Sequence, residues 1–532
     1  MNTMNPTQIN PARSTPAQML ASLRSAGGSI RSSGLDDATI ARFVASHAEL
    51  GEAIAAAHEA FLALKADPQF AELLAMDEDA QLHAVQAGFI NFYPDDAVNP
   101  YIALAARGPW IVTLKGAVIH DSGGYGMLPF GHTPQAVIAA LSRPQVMANI
   151  MTPSLSQLRL VNALRAEIGH TRVAQEHATQ QRGNDGSACP YTHFLCLNSG
   201  SESVSLAGRI ADVNTKLMTD TGARHAGKQV KRLAVKGAFH GRTELPAIYS
   251  DSSRKVYQQH LASYRHETSL VTVEPYDIER LRQVFADADQ HGWYIEAMFL
   301  EPVMGEGDPG RAVPADFYAA ARELTKAHGT LLLVDSIQAG LRAHGVLSIV
   351  DYPGFEHLEA PDMETYSKAL NAGQFPLSVL AVSARAAALY RKGVYGNTMT
   401  ANPRALDVAC ATLALLTPAL RANIRRQGRA FLDRLNALKD ELPGLISKVQ
   451  GTGLLFSCEL HPDFKCYGTG STEEFMRERG IGVIHGGANS LRFTPHFAIT
   501  DAEADLVVAQ VREALLKGPR KATSAVPAAE AA

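Results

Sequence analysis

Cysteine is scarce and unpaired in this sequence: Cys189, Cys196, Cys410, Cys458 and Cys466 are scattered, and none forms a Cys-x-x-Cys pair. That argues against a disulfide framework or a zinc site and suits a reducing compartment. An excess of one charge is also missing. The 49 basic and 53 acidic side chains leave a formal charge of -4, so no whole-chain field favours nucleic acid. No apolar run approaches the length of a membrane span, and no secretory-type apolar segment stands at the N-terminus. Acidic residues are absent before Asp36, whereas Arg13, Arg24 and Arg31 sit among serines and threonines. Such a composition resembles a mitochondrial transit peptide, but Pro and Gly interrupt any continuous amphipathic helix. Residues 1–35 are therefore expected to be a disordered polar leader on a cytoplasmic protein, with the mitochondrial matrix as the alternative.

Gly and Pro are almost absent again from residue 36 to about 90. There Ile40, Phe43, Val44, Ile54, Phe61 and Leu62 recur at helical spacing, which predicts a helical extension over 36–95 packed on the body or on a partner. A chain of 532 residues should then divide into further domains. Residues 96–150 carry a strand pattern at Trp110-Ile111-Val112 and two glycine-rich stretches. Between 151 and 405, apolar strands alternate with helical stretches, as in an α/β domain with a mostly parallel sheet flanked by helices. Strand candidates are Phe194–Leu197, Leu233–Val235, Ala297–Leu300 and Leu331–Val334. Residues 406–516 read as a smaller α+β domain, and 517–532 as a disordered tail.

Potential chemistry collects just after these strands, where open α/β sheets bind ligands. The run Leu331–Val334 ends in Asp335, and Lys368 follows on the next strand-and-turn unit. An amine that can form a Schiff base, with a carboxylate to keep a ring nitrogen protonated, is what pyridoxal phosphate (PLP) requires. Asn198-Ser199-Gly200-Ser201-Glu202 opens a helix, where free N–H groups and small residues suit a phosphate as well as an ordinary cap. Phe239, at a strand end, can stack on one face of a flat ring, with Ile337 on the other; core packing is the plain alternative for both. Gly305-Glu306-Gly307-Asp308-Pro309-Gly310 fits Gly-x-Gly-x-x-Gly, but its proline and acidic pair suit a turn better than a pyrophosphate cradle.

In order, these pieces resemble the class III pyridoxal-phosphate aminotransferases, the group containing ornithine and 4-aminobutyrate aminotransferases. The likeness runs from about Trp110 to Asp505. It implies PLP fold-type I, with a seven-stranded-type sheet in the large domain. It implies phosphate contacts from Gly200 and Ser201, a ring stack from Phe239-His240, and Gln338 bound to the ring O3′. It also implies a Thr398 that reaches the phosphate of a neighbouring subunit in a homodimer. Glu301-Pro302-Val303-Met304-Gly305-Glu306 and Leu491-Arg492-Phe493-Thr494-Pro495 match two further family segments. In ornithine-type members that arginine binds an α-carboxylate and that second glutamate masks it, which maps to Arg492 and Glu306. Tyr125 falls where these enzymes carry a substrate-facing tyrosine, and Phe92 where they carry a second. Ser336 replaces the usual glutamate after the ring-binding aspartate, and Met399-Thr400-Ala401 replaces a more glycine-rich stretch.

The reading is a transaminase that moves an amino group from an ω-amino acid, diamine or related amine to 2-oxoglutarate or a similar oxo acid. Asp335 and Lys368 carry the chemistry, and no metal, nucleic acid or membrane is required. A racemase, epimerase or aminomutase would use the same lysine and ring partner. A cofactor-free homologue that kept only the fold is the remaining alternative.

Overall fold

Leu331–Val334 becomes part of an inner strand of a seven-stranded sheet, buried along its whole length because helices cover both faces. The structure, a computed structural model, describes residues 14–123, 125–147, 150–172 and 188–521. They fall into two units, one holding residues up to Asp121 with Glu474–Gly482, the other Ser122–Glu473 with the chain from Val483 onward. This division differs from the boundaries expected at 95, 150 and 405: the C-terminal sheet belongs with the large α/β body, and 474–482 joins the N-terminal part.

In the first unit, strands β1 (Ala103–Arg107), β2 (Trp110–Thr113) and β3 (Val118–Asp121) pair antiparallel in succession, and the two-residue β13 (Ile481–Gly482) adds parallel to β3. Trp110 is fully buried, with Phe43 and His120 at ring separations of 5.0 and 4.9 Å. Helices Asp37–Ser46 and Ala48–Ala66 supply the extension read from periodicity, burying Ile40, Phe43, Leu50, Ile54 and Phe61. Val44 is only partly buried and Leu62 is exposed. The expected disordered leader is corrected in part. Pro16–Arg24 is a helix with a Thr15–Gln18 capping box, and its Leu20 and Leu23 are buried. The ammonium of Lys115, itself buried, donates to the carbonyls of Gly27 and Met76, the latter at 2.7 Å. Residues 1–13 lie outside the described residues.

The second unit is built on β4 (His193–Leu197), β5 (Gln229–Val235), β6 (Leu270–Val273), β7 (Trp293–Leu300), β8 (Leu331–Asp335), β9 (Met363–Tyr366) and β10 (Ser378–Val382). Their order is β4-β10-β9-β8-β7-β5-β6, and β10 alone runs against the rest. Each strand candidate therefore lies on an observed strand. The C-terminal ends of β4, β5, β7, β8 and β9 share one edge, so the loops that follow them converge. A second sheet, β11 (Ile446–Thr452), β12 (Leu455–Leu460), β15 (Ser490–Phe493) and β14 (Ile484–Gly486), is antiparallel throughout. Helix Asp501–Lys517 ends where the tail was expected to begin, but the chain stays anchored a little further, with Lys521 N–H on Asp463 O at 2.7 Å. Residues 522–532 lie outside the described residues. Among the described residues no single helix is long and apolar enough to cross a membrane.

Candidate active site

Lys368 leaves β9 in a left-handed backbone conformation, φ 42°, and starts a short 3-10 turn through Asn371. This places its amine on the Gln338 side-chain oxygen. Burial pushes the ammonium down to about 8; the positive Arg492 adds to this, and Glu306, Asp335 and Glu301 partly oppose it. Asp335 ends β8, and its carboxylate accepts from His240 Nδ1 at 2.9 Å and from Ile337 N–H at 3.2 Å. A carboxylate only accepts, so Nδ1 carries the proton, and His240 fixes the orientation of Asp335.

The loop after β5 carries Phe239 and His240. The loop after β4 carries Ser199, which caps helix Gly200–Thr219 together with Glu202. Ser201 Oγ accepts from Arg242 N–H at 3.2 Å, joining these two loops, and the Arg242 guanidinium lies 4.8 Å from the centre of the Phe239 ring. A Cβ at Gly200 would stand 2.6 Å from the end of the Ile337 side chain, so a larger residue there would push Ile337 aside. Arg492, on β15, is buried. Its Nη1 lies on the Gly305 carbonyl and 3.5 Å from Glu306, and its guanidinium is 5.5 Å from the Tyr125 ring.

The structure thus brings together Lys368, Asp335, His240, Gln338, Ile337 and Phe239, and joins Gly200 and Ser201 to them. Arg492 and Glu306 form an adjoining pair that acts electrostatically on Lys368, with the Tyr125 ring beside the Arg492 guanidinium. Thr398 stands exposed on the loop before helix Pro403–Ala414. Phe92 belongs to the other unit, where it is exposed and packs on Tyr93 at 4.4 Å. The Gly305–Gly310 stretch is a packed turn: Asp308 takes Lys448 at 2.6 Å and Arg311 at 3.2 Å, which hold its carboxylate below the usual range despite its burial. Motif reading assigned no role to two buried carboxylates. Glu301, at the end of β7, accepts from Phe239 N–H and Gly305 N–H, and burial raises it to about 7. Glu364, within β9, accepts from Ser336, Ser348, Tyr191 and Ile349 N–H, and burial raises it too. Glu301 is a charge at the end of an apolar run, which was an available signal; Glu364 lies in the short polar stretch Met363–Tyr366, which offered none.

Residues 93–515 match the family described as aminotransferase class-III. The chain belongs to that family. An acetylornithine aminotransferase from Xanthomonas axonopodis pv. citri is 30% identical over 61% of this chain and 75% of its own length. A succinylornithine transaminase from Citrobacter koseri is 31% identical over 58% and 70%. Among solved structures, the ornithine aminotransferase of Toxoplasma gondii covers 82% of this chain and 95% of its own, with a TM-score of 0.66 at 22% identity. A second structure of the Toxoplasma enzyme is described as having partial occupancy of PLP at its active site.

Gln338 Nε2, His240 Nε2 and Arg492 Nε are buried with no hydrogen-bond partner among the described residues. Buried polar groups are rarely left so, and a polar aromatic ligand beside an anionic substrate would supply their partners. With a depressed amine and a histidine-held aspartate beside them, the residues present fit PLP.

Proposed function

We propose that this aminotransferase uses PLP held by Lys368 to move the amino group of an ω-amino acid, a diamine or a related amine to 2-oxoglutarate or a similar oxo acid. The observation that carries the reading is the Arg492–Glu306 pair beside a depressed Lys368. A buried guanidinium with one adjustable carboxylate partner can grip a carboxylate substrate, or be neutralised when a second amine takes its place.

The bound cofactor would supply an electron sink for the carbon that loses its proton. Asp335, oriented by His240, would stabilise a cationic ring nitrogen. Phe239 and Ile337 would cover the ring's two faces, and Gln338 would donate to its O3′. Gly200 and Ser201, at the start of helix Gly200–Thr219, would bind the phosphate through first-turn N–H groups and the hydroxyl. The Lys368 amine, neutral through part of the physiological range, would take the proton from the substrate carbon and return it to the other side of the reacting system. Tyr125 would support the substrate beside Arg492. This arrangement needs no metal.

A homodimer would complete the site. Beside the Thr398 loop lies a largely apolar cleft of about 350 Å³, lined by Ile150, Leu160, Leu195, Tyr395 and Thr400 among others. Ile150, Met151, Leu155, Leu158 and Met399 are exposed on or near it, more apolar side chains than a lone soluble subunit usually presents in one area. A second copy covering this face would bring its Thr398 toward a phosphate site.

The test is a panel of ω-amino acids and diamines supplied with 2-oxoglutarate to the PLP-loaded enzyme. Glutamate is the expected product with at least one donor, and Arg492→Ala should raise the KM for 2-oxoglutarate. Racemisation of an amine without any oxo acid, or no glutamate from the whole panel, would overturn the reading.

A further inference from the structure

Glu301 distributes its two oxygens between two loops. Oε2 accepts from Phe239 N–H at 3.0 Å and Oε1 from Gly305 N–H at 2.9 Å. Beyond Phe239 comes His240, which holds Asp335. Beyond Gly305 comes Glu306, and the Gly305 carbonyl itself accepts from Arg492. A Cβ at Gly305 would lie 2.7 Å from Gln338 Cγ, so this turn has little room to shift without disturbing the partner of Lys368.

We propose that Glu301 is a positioning residue that couples the Phe239–His240 loop to the Arg492–Glu306 pair, so that losing its carboxylate loosens both sides of the site together. The chemistry of its partners requires this residue type. Both are N–H donors, and only a group that accepts at both ends can hold them. A carboxamide would turn its NH₂ toward one donor and release that loop. The coupling deepens the reading of Arg492 as a carboxylate binder and rests on it for the substrate side alone.

The experiment uses PLP-loaded wild type, Glu301→Gln, Glu306→Gln and the double variant. Each is titrated with glutarate, a dicarboxylate with neither amine nor oxo group, and followed by cofactor absorbance; the rate of cofactor release is measured alongside. Glu301→Gln should bind glutarate about tenfold more weakly and release cofactor faster, the lower end of the scale of one lost hydrogen bond to a charged group. Both effects should depart from additivity with Glu306→Gln by more than about twofold, which a defect elsewhere would not produce. Additive effects, or unchanged binding and release, overturn the coupling. If wild type binds glutarate no better than Arg492→Ala, the carboxylate-binding reading falls instead, and the release rates then decide the coupling by the same rule. Glu301→Asp keeps both acceptors on a shorter arm and carries the test should Glu301→Gln fail to fold.

Discussion

Lys368 combines a left-handed backbone with a depressed amine. The backbone costs roughly 1 kcal/mol in a residue with a Cβ, and such strain collects where a side chain must be aimed. The amine attacks an aldehyde only when neutral. Below its value of about 8 the neutral fraction falls about tenfold per pH unit. Capture of PLP by the cofactor-free protein should therefore accelerate as pH rises from 6 to about 8 and level off above, as followed by absorbance after rapid mixing. A rate still climbing steeply through pH 10 would mean that the lysine is not depressed. Lys368→Ala should give no covalent adduct after borohydride and turnover lower by about 10²-fold or more.

At the scale of strands, β8 and β9 form one device. They run parallel, with Asp335 opposite Thr365, and Ser336 reaches the β9 carboxylate of Glu364 at 2.6 Å. The acid that the family carries after Asp335 is absent here, and a carboxylate on the next strand stands beside the serine instead. Four donors converge on it, so Glu364→Gln should lower stability by about 1–3 kcal/mol, since one donor then faces an NH₂ group. Glu364→Met should cost more. Denaturant melts at matched cofactor saturation measure both, and a neutral result would show that the network relaxes freely. The strand β8 was legible because a fully buried parallel strand is a nearly continuous apolar run, and the residue ending the run lands on the shared edge. Asp335 is legible that way; Lys368 is instead legible as the amine on the strand-and-turn unit that follows it. The tie from His240 to Asp335, and the roles of Glu301 and Glu364, were not legible, because a periodic pattern reports burial and not the partner across the sheet. The boundary near residue 474 was hidden for a similar reason: β13 returns to a sheet begun far earlier in the chain, and no local signal marks that.

Two expectations belong to the molecule as a whole. Light scattering of the full chain should give about twice its 57.1 kDa, and a charge placed by Leu158→Glu, on the helix flanking the apolar cleft, should shift it toward one subunit. A wild-type mass of one subunit would remove the shared role proposed for Thr398. The second expectation concerns the stretch first read as a leader. Leu23 is fully buried in the first unit, so Leu23→Ala should destabilise that unit by about 2–5 kcal/mol. An unchanged melt would return residues 14–35 to the status of an appendage.

The buried ammonium of Lys115 fastens three segments that are far apart in the chain, because its two acceptors are the main-chain carbonyls of Gly27 and Met76. Trimming past Gly27 would remove one of the two carbonyls that hold this ammonium and leave Met76 as the other. Anyone shortening this polypeptide for expression or crystallisation should cut before Thr15. A protease that nicks between there and Gly28 should loosen the first unit, which holds all three of the segments that this ammonium ties.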